Sequence, residues 1–226
     1  MSLNFPRISI VTPSLNQARY LERTILSVLE QGYPNLEYII IDGGSTDGSI
    51  DIIKRYADKL AYWVSEIDNG QAHAINKGLR LATGDWVAWQ NSDDVYYPGA
   101  FLSLARKISR APGIDLIIGN MNLVGNNDEF IRDIKYVRPS YSAILAEGMV
   151  LTNQAAFWRR RLHNEVGYLD ESLDCGFDFE WFLRCLEGRR ASHVNETWGA
   201  FRLHEDTKTN NRQAVFNEEY RRVLKG

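Results

Sequence analysis

The sequence predicts an α/β fold in which a parallel sheet is covered on both faces by helices. Short β-rich runs alternate with helical periodicity, the connections between them are short, and each early strand exits into a polar segment. Alternation of this kind requires a parallel sheet, because a strand that returns parallel needs a crossover helix.

The elements follow in order. Residues 7–12, Arg-Ile-Ser-Ile-Val-Thr, form a β-branched strand that Pro13 is expected to stop. Leu21, Ile25, Val28 and Leu29 recur at helical spacing within 18–31, and Gly32 marks the end. Residues 36–41 read as a second buried strand, followed by the loop Asp42–Gly48 and a helix carrying Ile50, Ile53 and Tyr56. A third strand is expected at 61–65, a third helix at 70–82 closed by Gly84, and a fourth strand at 86–90. In the second half, 98–109 and 177–187 read as helices and 116–120 as a strand. Residues 122–137 form a candidate hairpin turning at 125–128, residues 191–203 one or two strands, and 213–224 a charged helix. No stretch reads as an interdomain linker, a repeat or a low-complexity tract, so one domain is expected over 1–226. Residues 1–97 would bind nucleotide and 98–226 would complete the pocket.

Bulk properties exclude several classes. A net charge of −3 and a pI near 5.9 give no basic excess for nucleic acid. Cys175 and Cys185 do not make a disulfide framework. No apolar run reaches the roughly 18–20 residues that span a bilayer, and Met1–Pro6 is too short and polar for a signal peptide. A cytoplasmic protein is expected. Arg159-Arg160-Arg161 is the densest basic cluster; it reads either as a solvated helix start or as a contact for anionic lipid head groups or a diphosphate acceptor.

The chemistry concentrates at strand exits. Ligands of open α/β sheets bind beyond the carboxyl ends of the strands. Here those ends lead into Thr12-Pro13-Ser14, Asp42-Gly43-Gly44, Glu66-Ile67-Asp68-Asn69 and Asn91-Ser92-Asp93-Asp94. Two adjacent acids at a strand tip repel unless a cation joins them, and a hard divalent ion suits carboxylate and phosphate oxygens. Asp93 and Asp94 therefore suggest a metal-bridged phosphate site, with a solvated turn before Pro98 as the structural alternative. Gln154, polar within an apolar run, suggests pocket lining.

Ile10–Asn16, Ile41–Gly48 and Asn91–Asp94, in this order and spacing, resemble the family 2 glycosyltransferases. So do Asn153–Arg160, Gly167–Glu171 and Asp178–Arg184; the resemblance covers roughly 7–205. It implies a GT-A fold, a Rossmann-like mixed and mainly parallel central sheet flanked by helices in a single domain. It implies a metal-dependent inverting transferase of bacterial surface polysaccharide synthesis, with a nucleotide-diphosphate sugar as donor, UDP favoured, and Mn²⁺ or Mg²⁺ as cofactor. The acceptor would be a saccharide or a polyprenyl-linked saccharide, with peripheral contact at the inner membrane face. Carried over by position, Thr12, Pro13 and Ser14 line the nucleotide, Asp42 faces the base and Asp93 approaches the ribose or diphosphate. Asp94, in a DXD-like motif, binds the metal with His204, and Asp178 is the catalytic base. The family often shows Glu-Asp there; this chain has Phe177-Asp178, which leaves Glu180 as a rival base. Gln154, Glu180 and Trp181 are expected on the acceptor side.

Structural alternatives stand beside these roles. Asp42 can cap its loop, Asp178 can be an ordinary first-turn acid, and Trp181, Trp86 and Trp89 can be core. His73 and Asn76 can be structural or touch the donor. A nucleotide-sugar hydrolase would use similar acids, as would a nucleotidyltransferase, but Pro13–Gln17 lacks the Gly-rich basic loop that a nucleotidyltransferase needs. A carbohydrate-binding module would explain the aromatic residues but not the Asp pair.

Overall fold

The computed structural model describes residues 5–205 and 207–225; Met1–Asn4, part of the segment read against a signal peptide, lie outside them. The first half alternates as expected: β1 (Ile8–Ser14), α1 (Ala18–Leu29), β2 (Leu36–Asp42), α2 (Ser49–Arg55), β3 (Tyr62–Ser65), α3 (Gln71–Leu81) and β4 (Trp86–Trp89). The second half holds β5 (Val95–Tyr96), α4 (Ala100–Arg110), β6 (Leu116–Val124), β7 (Phe130–Ile134), α5 (Tyr141–Glu147) and β8 (Ala156–Arg159). It continues through α6 (Leu162–Val166), α7 (Phe177–Leu186), β9 (Ala191–Arg202), α8 (Lys208–Asn211) and α9 (Gln213–Val223).

The strands join in one sheet of order β3-β2-β1-β4-β8-β6-β9-β5, with β7 paired to β6. β1, β2, β3 and β4 are mutually parallel, and β6 is parallel to β9. β8 runs antiparallel to both β4 and β6, so it links the two parallel blocks and leaves them pointing the same way. The sheet is thus mixed and mainly parallel, as the resemblance implied.

Pro13 does not stop β1; the strand continues to Ser14, in register with Asp42. Backbone groups alternate sides along a strand. Val11 accepts from Gln90 N on the β4 side, and Ser14 accepts from Gly43 N on the β2 side. Pro13 therefore directs its missing donor toward the β4 side, past the last pair Val11–Trp89. The helix in 18–31 ends at Leu29, with Tyr20, Leu21, Thr24, Ile25 and Val28 buried on one face. The hairpin between β6 and β7 forms where expected, and 191–203 is one long strand. β5, β8 and the helix α5 carry little sequence signal. α5 buries one residue, Ile144, and its start is set by Ser140, whose Oγ accepts from Ala143 N at 3.2 Å.

The core is aromatic around the sheet centre. Trp89 packs edge-on to Trp158, and Trp181 lies 4.7 Å from Trp158 and 5.3 Å from Phe182 between ring centroids. Cys175 and Cys185 are both free.

Candidate active site

The common direction of the two parallel blocks places the carboxyl ends of β1, β4, β6 and β9 on one edge. β8 runs the other way, so its entry, residues 153–155, reaches that same edge. A cavity of about 930 Å³ opens there, lined by Ser14 at the end of β1, Asp93 after β4, Leu123 on β6, Gln154 before β8 and Asp178 at the start of α7. The polar strand exits thus meet in one place.

The two adjacent acids have separate surroundings. Asp93 lines the cavity, and its Oδ2 lies 2.9 Å from His204 Nε2. Asp94 is fully buried and does not line it. Asp94 Oδ1 accepts from Arg202 N at 2.9 Å; Oδ2 accepts from Gln154 Nε2 at 2.7 Å and Asn91 Nδ2 at 3.0 Å. Burial, reinforced by the charge of Asp93, pushes the Asp94 carboxyl well above the usual carboxylate range, against those donors. Asp94, expected to bind the metal, has its oxygens turned inward and already partnered. Its place is in the scaffold under the loop. Arg202 completes this scaffold, since its guanidinium donates to Asp93 O at 2.8 Å and Asp128 Oδ1 at 2.6 Å, tying the hairpin turn to the acid loop.

His204 is buried against Asp93 and is not part of the cavity lining. Its ring also packs on Tyr20, with centroids 4.7 Å apart. Among the described residues, no group of three or more His, Cys, Asp and Glu side chains is placed to hold a metal ion. The donor chemistry still fits a divalent ion bound largely by a ligand: Asp93 offers a hard carboxylate at the cavity wall, and phosphate oxygens and water complete the shell of such ions.

Asp178 is the second residue of α7 and lines the same cavity. Its Oδ1 accepts from Phe179 N at 2.7 Å. Burial raises its pKa to about 6, overriding that hydrogen bond and the opposing charge of Lys208. A carboxyl that titrates there can take a proton near neutral pH. The rival Glu180 is paired with Arg184 and does not line the cavity. Arg184 in turn donates to Tyr168 O at 2.8 Å, so Glu180 helps fix a loop.

Other expected site residues are redistributed. Pro13 and Ser14 line the cavity; Thr12 does not, being fully buried with its Oγ1 3.0 Å from Tyr38 OH. Asp42, expected to face the base, is also fully buried and does not line the cavity. Its carboxylate accepts from Gly44 N, Ser45 N, Ser45 Oγ and Ser65 Oγ, at 2.5–3.1 Å, and so holds its own loop. Trp181 has no exposed surface; it stacks on His163 and donates through Nε1 to Gly167 O, so it belongs to the core and not to an acceptor face. Trp86 and Trp89 are core as well. Asn76 is structural, bridging to Leu169 and Glu171. Arg159–Arg161 lie at the opposite edge of the sheet, since Arg159 pairs in register with Trp86 at the start of β4. There Arg160 donates to Gly84 O, and Arg161 pairs with Asp115 and Glu165.

The cavity also includes residues that sequence reasoning did not assign: Asp68, Gln71, Asn91, Arg132, Tyr136 and Lys208. Asp68 had a signal, because it lies in a polar strand exit. Gly43 makes room for it: a Cβ there would sit 2.6 Å from Asp68 Oδ2. Arg132 and Tyr136 had none, since only the pairing of β7 with β6 brings them to this edge.

The profile described as Glycosyl transferase family 2 matches residues 9–167. An uncharacterized glycosyltransferase of Rickettsia typhi is 27% identical over 236 residues, covering 98% of this chain and 71% of that protein. Several other curated relatives are longer, and the chain spans 28% to 47% of their length. Among solved structures, residues 1–349 of S. aureus TarS in complex with UDP-GlcNAc superpose with a TM-score of 0.77 at 20% identity, covering 96% of this chain and 65% of that one. The mannosyltransferase PcManGT from Pyrobaculum calidifontis, in complex with GDP-Man and Mn²⁺, gives 0.69 at 22% identity, covering 96% and 64%. The fold is thereby that of the GT-A enzymes.

Proposed function

We propose that this chain, which belongs to glycosyl transferase family 2, transfers a sugar with inversion from a nucleotide-diphosphate sugar to a saccharide or lipid-linked acceptor. The observation that carries this reading is that Asp93 and Asp178, from distant elements, line one cavity at the carboxyl edge of the sheet. Residues before 98 would supply most of the nucleotide side, and residues after it the acceptor side.

Inverting transfer is one displacement at the anomeric carbon. The acceptor hydroxyl attacks as the bond to the diphosphate breaks, through an oxocarbenium-like transition state. Asp178 accepts the proton of the attacking hydroxyl. Pro13 and Ser14 bound the nucleotide side of the cavity, with Asp68 nearby as a further polar contact. Asp93 would hold a divalent ion, and His204 would orient the carboxylate through its Nε2 contact. When bound, the ion neutralises the charge that develops on the leaving diphosphate. Asp94 holds the loop still beneath Asp93.

UDP-sugars are the first donors to test, since the TarS structure is a UDP-GlcNAc complex; GDP-sugars follow because PcManGT was solved with GDP-Man. The surface polysaccharide role and any contact with a membrane face belong to the same proposal. The test is to incubate the protein with UDP- and GDP-sugars and Mn²⁺, with and without saccharide acceptors, and to follow free nucleoside diphosphate. Release that depends on acceptor and on Mn²⁺ supports transfer. Release at equal rate without acceptor overturns it in favour of hydrolysis.

A further inference from the structure

Glu219 belongs to α9, yet its carboxylate closes the turn from which α7 begins. Oε1 accepts from Asp174 N at 2.8 Å, and Oε2 accepts from Cys175 N at 2.9 Å and Gly176 N at 2.6 Å. Three successive backbone donors converge on one side chain, the arrangement by which backbone nests hold anions. The fit is close, since a Cβ on Gly176 would lie 3.2 Å from Glu219 Cβ. The neighbouring Tyr220 stacks on Phe179, with centroids 4.2 Å apart and planes at 23°. Contacts from α9 thus clasp the chain on both sides of Asp178.

The charges around Asp178 are few. Lys208 on α8 favours its ionised form; Glu219 on α9 opposes it. Cys175 and Tyr220 face it as neutral groups. Asp174, next along the turn, is paired with Lys208 and Arg212. The N-terminus of α7 adds a positive field that would make any carboxyl in its first turn more acidic.

We propose that Glu219 is a positioning residue for Asp178: it fixes the turn that presents the carboxylate to the cavity and sets a negative charge against the positive field of the helix start. This rests on Asp178 being the base. The substitution Glu219→Gln removes the charge at nearly constant size and can keep its one oxygen on Cys175 N and Gly176 N, giving up the bond from Asp174 N. The full chain without substrate, ¹³C-labelled at Asp carboxyls, reports the titration of Asp178 by difference from Asp178→Asn. In Glu219→Gln the midpoint should fall by roughly half a unit to one unit. The acid limb of kcat/KM should fall with it, and kcat should drop about tenfold while donor KM holds within about twofold. Glu219→Asp, which keeps the charge, should return the limb toward the wild-type position. If Glu219→Gln does not fold, Glu219→Ala carries the same expectation. An unchanged titration midpoint overturns the proposal whatever the activity. Full activity in Asp178→Asn overturns instead the assignment of the base, and the two failures are therefore distinguishable.

Discussion

Gln154 donates through Nε2 to Asp94 Oδ2 at 2.7 Å, joining the entry of β8 to the acid loop after β4. The bond satisfies the donor side of the Gln154 amide and one oxygen of the buried carboxylate. Of the two neighbouring acids, Asp94 is thus a buried strut, while Asp93 faces the cavity.

Substitution should separate them too. Asp94→Ala strands two buried donors, Arg202 N and Gln154 Nε2, and the half-buried Asn91 Nδ2. Each costs on the order of 1–3 kcal/mol when left unpaired. Urea denaturation should show a loss of roughly 2–5 kcal/mol. Asp93→Ala removes one contact to the buried His204 and should cost less, about 1–2 kcal/mol, yet abolish the rise in Tm expected of the wild type with nucleoside diphosphate plus Mn²⁺. Equal destabilisation by both would contradict the division of roles.

Asp178→Asn should lower kcat by about 10²–10⁴-fold with donor affinity kept. Its stability should change in the other direction. The folded pKa, about 6, lies above the ordinary 3.8, so the folded state binds the proton more tightly and stability falls as pH rises through this window. Asparagine removes that charge. The variant should be more stable at pH 8 by up to about 3 kcal/mol, and the gain should vanish near pH 4. Calorimetry at both pH values checks this.

In the wild type, kcat/KM should rise with pH through about 6 and then level, as Asp178 ionises. A profile flat from pH 5 to 8 under conditions where chemistry limits the rate would remove Asp178 from the mechanism.

His163 supplies an acid-side test remote from the cavity. Its Nε2 accepts from Trp158 Nε1 at 3.0 Å, and burial lowers its pKa to about 4. A depressed pKa means stability is complete above the ordinary value of 6.5 and is lost as pH falls toward 4. The loss should approach about 3 kcal/mol. His163→Gln, which cannot protonate, should flatten this part of the stability profile in urea titrations.

Trp181→Ala should cost about 3–5 kcal/mol, because a fully buried ring leaves a cavity among Trp158, His163 and Phe182. At temperatures where the variant remains folded, acceptor KM should stay near the wild-type value. A selective rise in acceptor KM without loss of stability would restore Trp181 to the acceptor face.

The sequence by itself determined the alternating first half, the edge where the cavity opens, and the family. Hydrophobic periodicity and turn chemistry are local, and the polar strand exits repeat at every carboxyl end. It also determined that Asp178 begins a helix. Only the tertiary structure decided which acids look outward. Asp42 and Asp94 sit in the motifs with the clearest spacing, yet both are buried and fully hydrogen-bonded. Their partners, Ser65 for one and Gln154 and Arg202 for the other, come from elsewhere in the chain. The same holds for Trp181 and for Glu219. Whether a side chain faces a cavity or a neighbour depends on what distant elements bring against it, and that is settled by packing rather than by spacing along the sequence.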